Sequence, residues 1–355
     1  GDGMMAKLGD IATYINGYAF KPQDWSDEGI PIIRIQDLTG NSYQANRYNG
    51  EYASKYEVND GDVLISWSAS LGVYIWHGEK AVLNQHIFKV VFDKERISKD
   101  FFVHQVGLIL ENAASDAHGA TMKHLTKPVF DALPFYLPPY EKQCEIAEVL
   151  DKVTSLISLR KQQLAKLDEL VKARFVEMFG DVLLNSMQWP EKTLENMADI
   201  VSGITKGRKT AEADLQEVPY MAVSNVKDGY IDWTTVKTIL ATRQEIEQYR
   251  LMPDDILMTE GGDPDKVGRG AIIKVPLKNS IHQNHIFRVR LDEQEILPSF
   301  FAEYLRHQKA KRYFLGCAKQ TTGIASINMR QLRALPTLVP PLSLQKQFAA
   351  FVERV

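Results

Sequence analysis

Four stretches of the chain hold residue types that could do chemistry. In LPPY (137–140) paired prolines before an aromatic resemble the Asn/Asp-Pro-Pro-aromatic pattern with which amino-methyltransferases hold a target amino group. Its first position is Leu137, which cannot accept a hydrogen bond, so these prolines read as the stop of a strand and the start of a helix. SGITKGRKT (202–210) offers glycine and lysine for phosphate but lacks the Gly-Lys-Ser/Thr ending of a nucleotide loop. PDDILMTEGGDPDK (253–266) gathers carboxylates as a metal-dependent nuclease would, yet no Asp/Glu-x-Lys follows within thirty residues. HQNH places His282 and His285 three apart without Cys or carboxylate partners at ligand spacing. Because NQH recurs at 84–86 inside an apparent strand, framework hydrogen bonding is the expected role. The reading is therefore of a chain with no catalytic residue, no metal and no cofactor of its own.

The recurrence extends far beyond that triplet. LNQHIFKVVFD (83–93) is answered by IHQNHIFRVRLD (281–292), with the two HIF triplets 199 residues apart. GDIATYING (9–17) is matched with ADIVSGITK (198–206), GIPIIRIQDL (29–38) with EVPYMAVSNV (217–226), and NDGDVLIS (59–66) with MPDDILMT (252–259). Farther on, KDFFVHQV (99–106) returns as PSFFAEYL (298–305), and ALPFYLPPYEKQ (132–143) as ALPTLVPPLSLQ (334–345). The offsets run only from about 189 to 202 and the order never breaks, so the chain carries an internal duplication.

Each copy shows short β-rich runs such as IPIIRI (30–35), DVLISW (62–67) and HIFKVVF (86–92), separated by Gly, Asn and Asp turn signals. A helical stretch follows, then a last extended run and a double proline. At 355 residues there is room for two domains with their own cores. No run approaches a membrane span, and the opening GDGMM reads as a cloning remnant, not a secretory leader. Only Cys144 and Cys317 occur, which suits a reducing cytoplasm. A formal charge of −3 gives no support to nucleic-acid binding from composition alone, so any basic surface must be made by folding.

After the first double proline the chain changes character. Residues 141–179 hold neither Gly nor Pro and end at Gly180, a helix about 58 Å long at about 1.5 Å per residue. Ile146, Leu150, Val153, Ile157, Arg160, Leu164, Leu167, Val171, Arg174 and Met178 advance by alternating fours and threes, the coiled-coil period. Val149, Leu156 and Leu170 widen the stripe, while seven basic and seven acidic residues balance on the helix. Arg160 and Arg174 on that seam must meet carboxylates of a partner helix or lie at an edge. Leu344, Phe348, Phe351 and Val355 restart the same spacing after the second double proline.

The plan resembles the specificity subunit of type I restriction-modification systems. LPPYEKQCEIAEVLDKV is similar to that family's Pro-Pro entry into its central helix, and KLGDIATYINGYAF, IPIIRIQDL and NDGDVLIS resemble its recognition-domain framework. The chain departs at Lys142, where the family usually has Glu before Gln, and its second helix keeps only about a dozen residues after Ser343. The resemblance implies an α+β fold: target-recognition domains at 1–140 and 181–340, a conserved helix at 141–180, and the start of a distal helix at 341–355, paired antiparallel about a pseudo-twofold. About 40 Å of the first helix would then lack an intramolecular partner, either through truncation or because the seam is covered in trans.

It further implies a non-catalytic cytoplasmic chain that binds double-stranded DNA, each domain reading one half of an asymmetric bipartite site. Methyltransferase subunits carrying S-adenosylmethionine would dock on the helices through Ile146, Leu150, Val153, Ile157, Leu164, Leu167, Val171, Phe348 and Phe351, and a restriction/translocase subunit would be recruited separately. Readers are expected where the two copies disagree. In the first copy these are Lys21, Arg34, Gln36, Trp67, Ser68 and Ser70, with Lys123 and His124 as weaker candidates; in the second they are Lys206, Arg208, Lys209, Ser224, Asn225, Lys266 and Arg269. Arg suits guanine and Asn or Gln adenine, whereas Ser and Lys more often hold phosphate. Three alternatives stand beside this: a protein-binding adaptor with duplicated domains, a recognition fragment of a fused restriction-methylation enzyme, and a homodimer through the exposed seam.

Overall fold

A computed structural model describes residues 3–40, 46–68, 70–116, 126–209, 215–321 and 323–355, and the chain divides into two compact units, Gly1–Lys161 and Gln162–Val355. Lys123 and His124 lie outside the described residues. No helix among the described residues is long and apolar enough to cross a membrane.

The first unit runs β1 (Met4–Lys7), α1 (Leu8–Ile11), β2 (Thr13–Asn16), β3 (Ile30–Ile33), α2 (Ile35–Leu38), β4 (Arg47–Tyr48), β5 (Glu57–Val58), β6 (Val63–Ser66), β7 (Gly72–Ile75), β8 (Ala81–Leu83), β9 (Ile87–Val91), α3 (Lys99–Asp116), α4 (Lys127–Asp131) and β10 (Pro134–Leu137). Its strands form two four-stranded sheets, β2-β9-β6-β7 and β4-β3-β8-β5, and a β1-β10 ribbon. Apolar residues of β2, β6 and β9 meet α3 and α4 in the main core, where Tyr14 stands edge-on to Phe130 with ring centres 4.8 Å apart.

α5 (Tyr140–Phe179) follows, starting one residue before the expected position. The second unit then repeats the plan with β11 (Glu191–Thr193), β12 (Ala198–Ser202), β13 (Gln216–Met221), β14 (Lys237–Ala241), α6 (Arg243–Tyr249), β15 (Asp255–Thr259), β16 (Gly261–Gly262), β17 (Gly270–Ile273), β18 (Ile281–His282), β19 (Ile286–Leu291), α7 (Pro298–Arg306), α8 (Gln308–Cys317), β20 (Lys319–Thr321), β21 (Ile324–Ser326), α9 (Met329–Arg333), β22 (Pro336–Leu338) and α10 (Leu342–Val352). Its sheets are β12-β19-β15-β17, β14-β13-β18 and β11-β22, with an added β16-β21-β20 sheet.

The duplication holds for the main sheet and for the parallel pair of the second sheet, while among the described residues β5 and the β16-β21-β20 sheet are each found in one unit. The parallel pairing of β3 with β8 (Ile32 with Val82) returns as β13 with β18 (Tyr220 with Ile281). One expected match is corrected. Asn16 pairs with Phe88 and Ser202 with Phe287, so Gly17 corresponds to Gly203, and aligning GDIATYING with ADIVSGITK slips by three residues. A shared Asp-Ile pair misled the sequence match, whereas strand register is decided by which face is buried.

The glutamine after each double proline is a common clasp. Gln143 Oε1 accepts from Ser98 N–H at 2.9 Å and its Nε2 donates to Pro138 O at 2.9 Å. Gln345 does the same with Leu297 N–H at 2.8 Å and Pro340 O at 2.7 Å. Both side chains are buried, so the looser second motif keeps the residue that ties its helix to the rest of its unit.

α5 has two different ends. Phe175 and Phe179 are buried against Phe300 and Phe348 of the second unit. Contacts walk backwards along α5 as α10 advances, from Phe175 and Phe179 at Phe348 to Arg174 at Phe351, so this pair is antiparallel. Phe348, expected on the seam where partner subunits dock, is fully buried core; the correction arises because α10 folds onto the last turns of α5. Arg174 bonds Glu177 of its own helix at 2.8 Å and stays partly exposed, while Arg160 lies on the exposed face. Residues 148–166 are all exposed, including Leu150, Val153, Ile157 and Leu164 of the seam, whereas Ile146, Leu167 and Val171 are half-buried.

Candidate nucleic-acid interface

In both units the same four segments are knitted together at the ends of β3, β6 and β8 or their counterparts. In the first, Tyr18 N–H donates to Leu83 O at 2.8 Å, Gln85 N–H to Tyr18 O at 2.8 Å, Asn84 N–H to Ile33 O at 3.1 Å and Trp67 N–H to His86 O at 3.2 Å. In the second, Ile204 N–H donates to His282 O at 2.9 Å, Asn284 N–H to Ile204 O at 3.1 Å, Gln283 N–H to Met221 O at 3.0 Å and Glu260 N–H to His285 O at 3.0 Å. A Cβ on Gly17 would fall 1.9 Å from Asn84 O, and one on Gly203 2.1 Å from His282 O. Glycine at both positions is what lets the segments approach so closely.

This knot gathers the loops that carry most of the expected readers, but not all of those side chains face outward. Lys21, Gln36 and Ser70 are exposed in the first unit, and Arg34 is half-buried, its guanidinium 5.6 Å from the centre of the Trp25 ring. In the second unit Lys206, Lys209, Ser224 and Lys266 are exposed and Arg269 is half-buried. Lys266 is ion-paired with Asp263.

Four expected readers are instead framework. Asn225 is 2 % exposed; its Oδ1 accepts from Ala222 N–H at 2.9 Å and its Nδ2 donates to Asp232 O and Thr235 O, each at 2.9 Å. Its counterpart Asp37 accepts from Arg34 N–H at 2.8 Å, so two unlike side chains make the same cap. Ser68 is buried. The Trp67 ring stacks on Phe88 at 5.7 Å while its Nε1 donates to Asn16 Oδ1 at 3.0 Å. Arg208 grips Glu245 through Nε and Nη2, each at 2.6 Å, and that carboxylate raises the guanidinium pKa further. A fork used twice on Glu245 is not available to a guanine.

The histidines of HQNH occupy unlike surroundings. His282 is fully buried with Nε2 3.2 Å from Val201 O, and desolvation, with the positive Arg288 nearby, lowers its pKa to about 3. It stays neutral and structural. His285 is exposed, with Nδ1 2.7 Å from Glu260 Oε2. This pair lines a cleft of about 370 Å³ together with Val223, Gly261, Gly262, Ile324 and Ser326. Among the described residues no three His, Cys, Asp or Glu side chains gather as a metal site.

Two features escaped the sequence reading. The β20-β21 hairpin presents exposed Lys319, Gln320, Thr321 and Ile324, pairing back to Gly261–Gly262 of β16. Its polar strands give no alternation signal, and its anchor is two glycines. The Glu260–His285 pair was visible only as parts of two stretches weighed for metals.

Comparison with known proteins agrees with this plan. The chain is 23 % identical to the EcoBI type I restriction enzyme specificity subunit of Escherichia coli, over 98 % of this chain and 78 % of that one. It is 20 % identical to the EcoKI specificity subunit of Escherichia coli K12, over 99 % and 82 %. In fold it is similar to the crystal structure of a type I restriction-modification S subunit from M. genitalium, with a TM-score of 0.54 at 16 % identity over 99 % of this chain and 89 % of that one. The family model described as type I restriction modification DNA specificity domain matches residues 2–169 and again 187–355, so the chain belongs to that family and carries two copies of its domain.

Proposed function

We propose that this chain is the DNA-addressing subunit of a type I restriction-modification complex, each unit reading one half of an asymmetric bipartite site. The observation that carries the reading is the pair of matched knots: the same backbone connections in both units present different side chains. A single site type read twice would need no such divergence; two unlike half-sites do. Lys21, Arg34, Gln36 and Ser70 are assigned to the first half-site, and Lys206, Lys209, Ser224, Lys266 and Arg269 to the second. Lysines and serines hold phosphates, and Arg34, Arg269 and Gln36 reach base edges.

The exposed stretch of α5 docks methyltransferase subunits, which carry S-adenosylmethionine and the methyl-transfer chemistry, while a restriction/translocase subunit supplies cleavage. The chain works in the cytoplasm, where its free Cys144 and Cys317 stay reduced. Selection of bound duplexes from a random library, with and without the methyltransferase partner and at two salt concentrations, tests the reading. Two unlike motifs at a fixed gap are expected, with affinity falling steeply in salt. Absence of any enriched sequence in the assembled complex would return the duplicated domains to a protein-binding role.

A further inference from the structure

Glu260 stands where the two units share a backbone and differ in chemistry. It corresponds to Trp67, since each donates its N–H to the carbonyl of the histidine in the matching HIF triplet. In the first unit that place is filled by two rings, Trp67 and His86, with centres 5.0 Å apart. In the second it holds a carboxylate. The Glu260 backbone is fixed on both sides, its N–H on His285 O at 3.0 Å and its O accepting from Ile327 N–H at 2.8 Å. Its side chain is steadied by His285 Nδ1 at 2.7 Å from Oε2, whereas Oε1 has no hydrogen-bond partner among the described residues. A Cβ on Gly261 would meet Ala325 O at 3.0 Å, so the absent side chain brings β21 close and sets Ile324 on the same cleft.

We propose that Glu260, positioned by His285, reads a cytosine in the half-site of the second unit by accepting a hydrogen bond from its exocyclic amino group. The inference rests on the DNA-addressing function above and names one base contact within it. With the cleft turned to DNA, as the addressing function above requires, a carboxylate there repels phosphates and suits a donor on a base edge. Cytosine shows the major groove an N4 donor and no acceptor; adenine sets the N7 acceptor beside its N6 donor, against the second oxygen. Ile324, 56 % exposed, supplies the apolar wall beside the base.

The test is duplex selection with the full chain assembled with its methyltransferase partner, comparing wild type with Glu260→Gln and Glu260→Ala. Wild type should yield one cytosine in the second unit's half-site that Glu260→Ala loses by roughly tenfold to a hundredfold in preference. Glu260→Gln should move the same position toward adenine, and His285→Phe should weaken the cytosine preference with the carboxylate still present. All other positions, including the first unit's half, should stay unchanged. A wild-type consensus that every variant reproduces would overturn the assignment of Glu260 while leaving the DNA-addressing function intact. No consensus from wild type would overturn both. Folding of the variants is checked by their unaltered recovery of the first half-site.

Discussion

The two units agree in what is hidden and differ in what is shown. The order of the main sheet (β2-β9-β6-β7 and β12-β19-β15-β17), the parallel β3-β8 and β13-β18 pairs, the buried Gln143 and Gln345 clasps and the Gly17 and Gly203 approaches are common to both. At the strand ends Arg34 corresponds to Ala222 in the other copy, Gln36 to Ser224, and the Trp67–His86 rings to the hydrogen-bonded Glu260–His285 pair. Backbone geometry is thus conserved independently of the chemistry it presents. That separation allows one scaffold to be re-addressed by changing a few side chains.

The strongest way to break this comparison is to damage each core separately. Phe130 is fully buried against Tyr14 in the first unit, and its counterpart Leu332 is fully buried in the second. Phe130→Ala should cost ~3–5 kcal/mol and Leu332→Ala ~2–5 kcal/mol. Hydrogen exchange followed by mass spectrometry should show each loss confined to its own unit. Equal loss of protection in both would mean that the units do not fold on their own cores.

The matched caps sharpen the comparison. Asn225→Ala strands the part-buried Ala222 N–H and the carbonyls of Asp232 and Thr235, so ~2–3 kcal/mol of destabilisation is expected. Asp37→Ala removes a more exposed cap and should cost about 1 kcal/mol. Neither should alter which bases are selected at its half-site once the folded fraction is matched; a changed base preference for Asn225→Ala would restore it as a reader.

A pH difference between the copies follows from His282, whose counterpart is Leu83. Its folded-state pKa is lowered from 6.5 to about 3, so the unfolded chain takes up a proton that the folded unit refuses. Stability from this residue is present above the unfolded pKa and is lost as pH falls through the window down to the folded value. The slope is at most about 1.4 kcal/mol per pH unit. Glu245 and Asp168, held below their ordinary values by Arg208 and Arg306, act only below the ordinary carboxylate range. Between pH 6.5 and 5, amide protection should therefore fall faster in β18 and β19 than in β8 and β9, and His282→Leu should remove the excess. Identical slopes in the two copies would show that this histidine is protonated in the fold.

Much of this was legible in the sequence, for local reasons. Turn residues, the glycine- and proline-free run before Gly180 and the collinear repeat are read from neighbours along the chain. What was not legible depends on contacts between distant segments. Sequence divergence marked Asn225 as a reader because an amide and a carboxylate look different, although both accept the same backbone N–H. Trp67 looked like a loop aromatic until the core received its ring. The heptad spacing of Phe348 was right as a period but could not name its partner, because spacing cannot say which turns of α5 find α10. The β20-β21 hairpin was missed because its pairing with two glycines carries no propensity signal.

The smallest effect on stability is expected at the exposed stretch of α5, and it contrasts with the buried end of the same helix. Leu156 is 61 % and Ile157 51 % exposed, whereas Phe175 is fully buried. Replacing an already hydrated aliphatic side chain removes little burial, so Leu156→Lys and Ile157→Lys should each change the stability of the isolated chain by less than ~0.5 kcal/mol. Assembly should respond in the opposite way. A lysine placed on a seam that a partner helix covers must be desolvated or displaced, so the same variants should weaken capture of the methyltransferase subunits while leaving the melting curve in place. Light scattering across a dilution series separates the two candidate occupants. A wild-type mass that doubles with concentration and collapses to one chain in Ile157→Lys would assign the seam to a second copy; a constant single-chain mass with lost methyltransferase binding would assign it to the partner subunit.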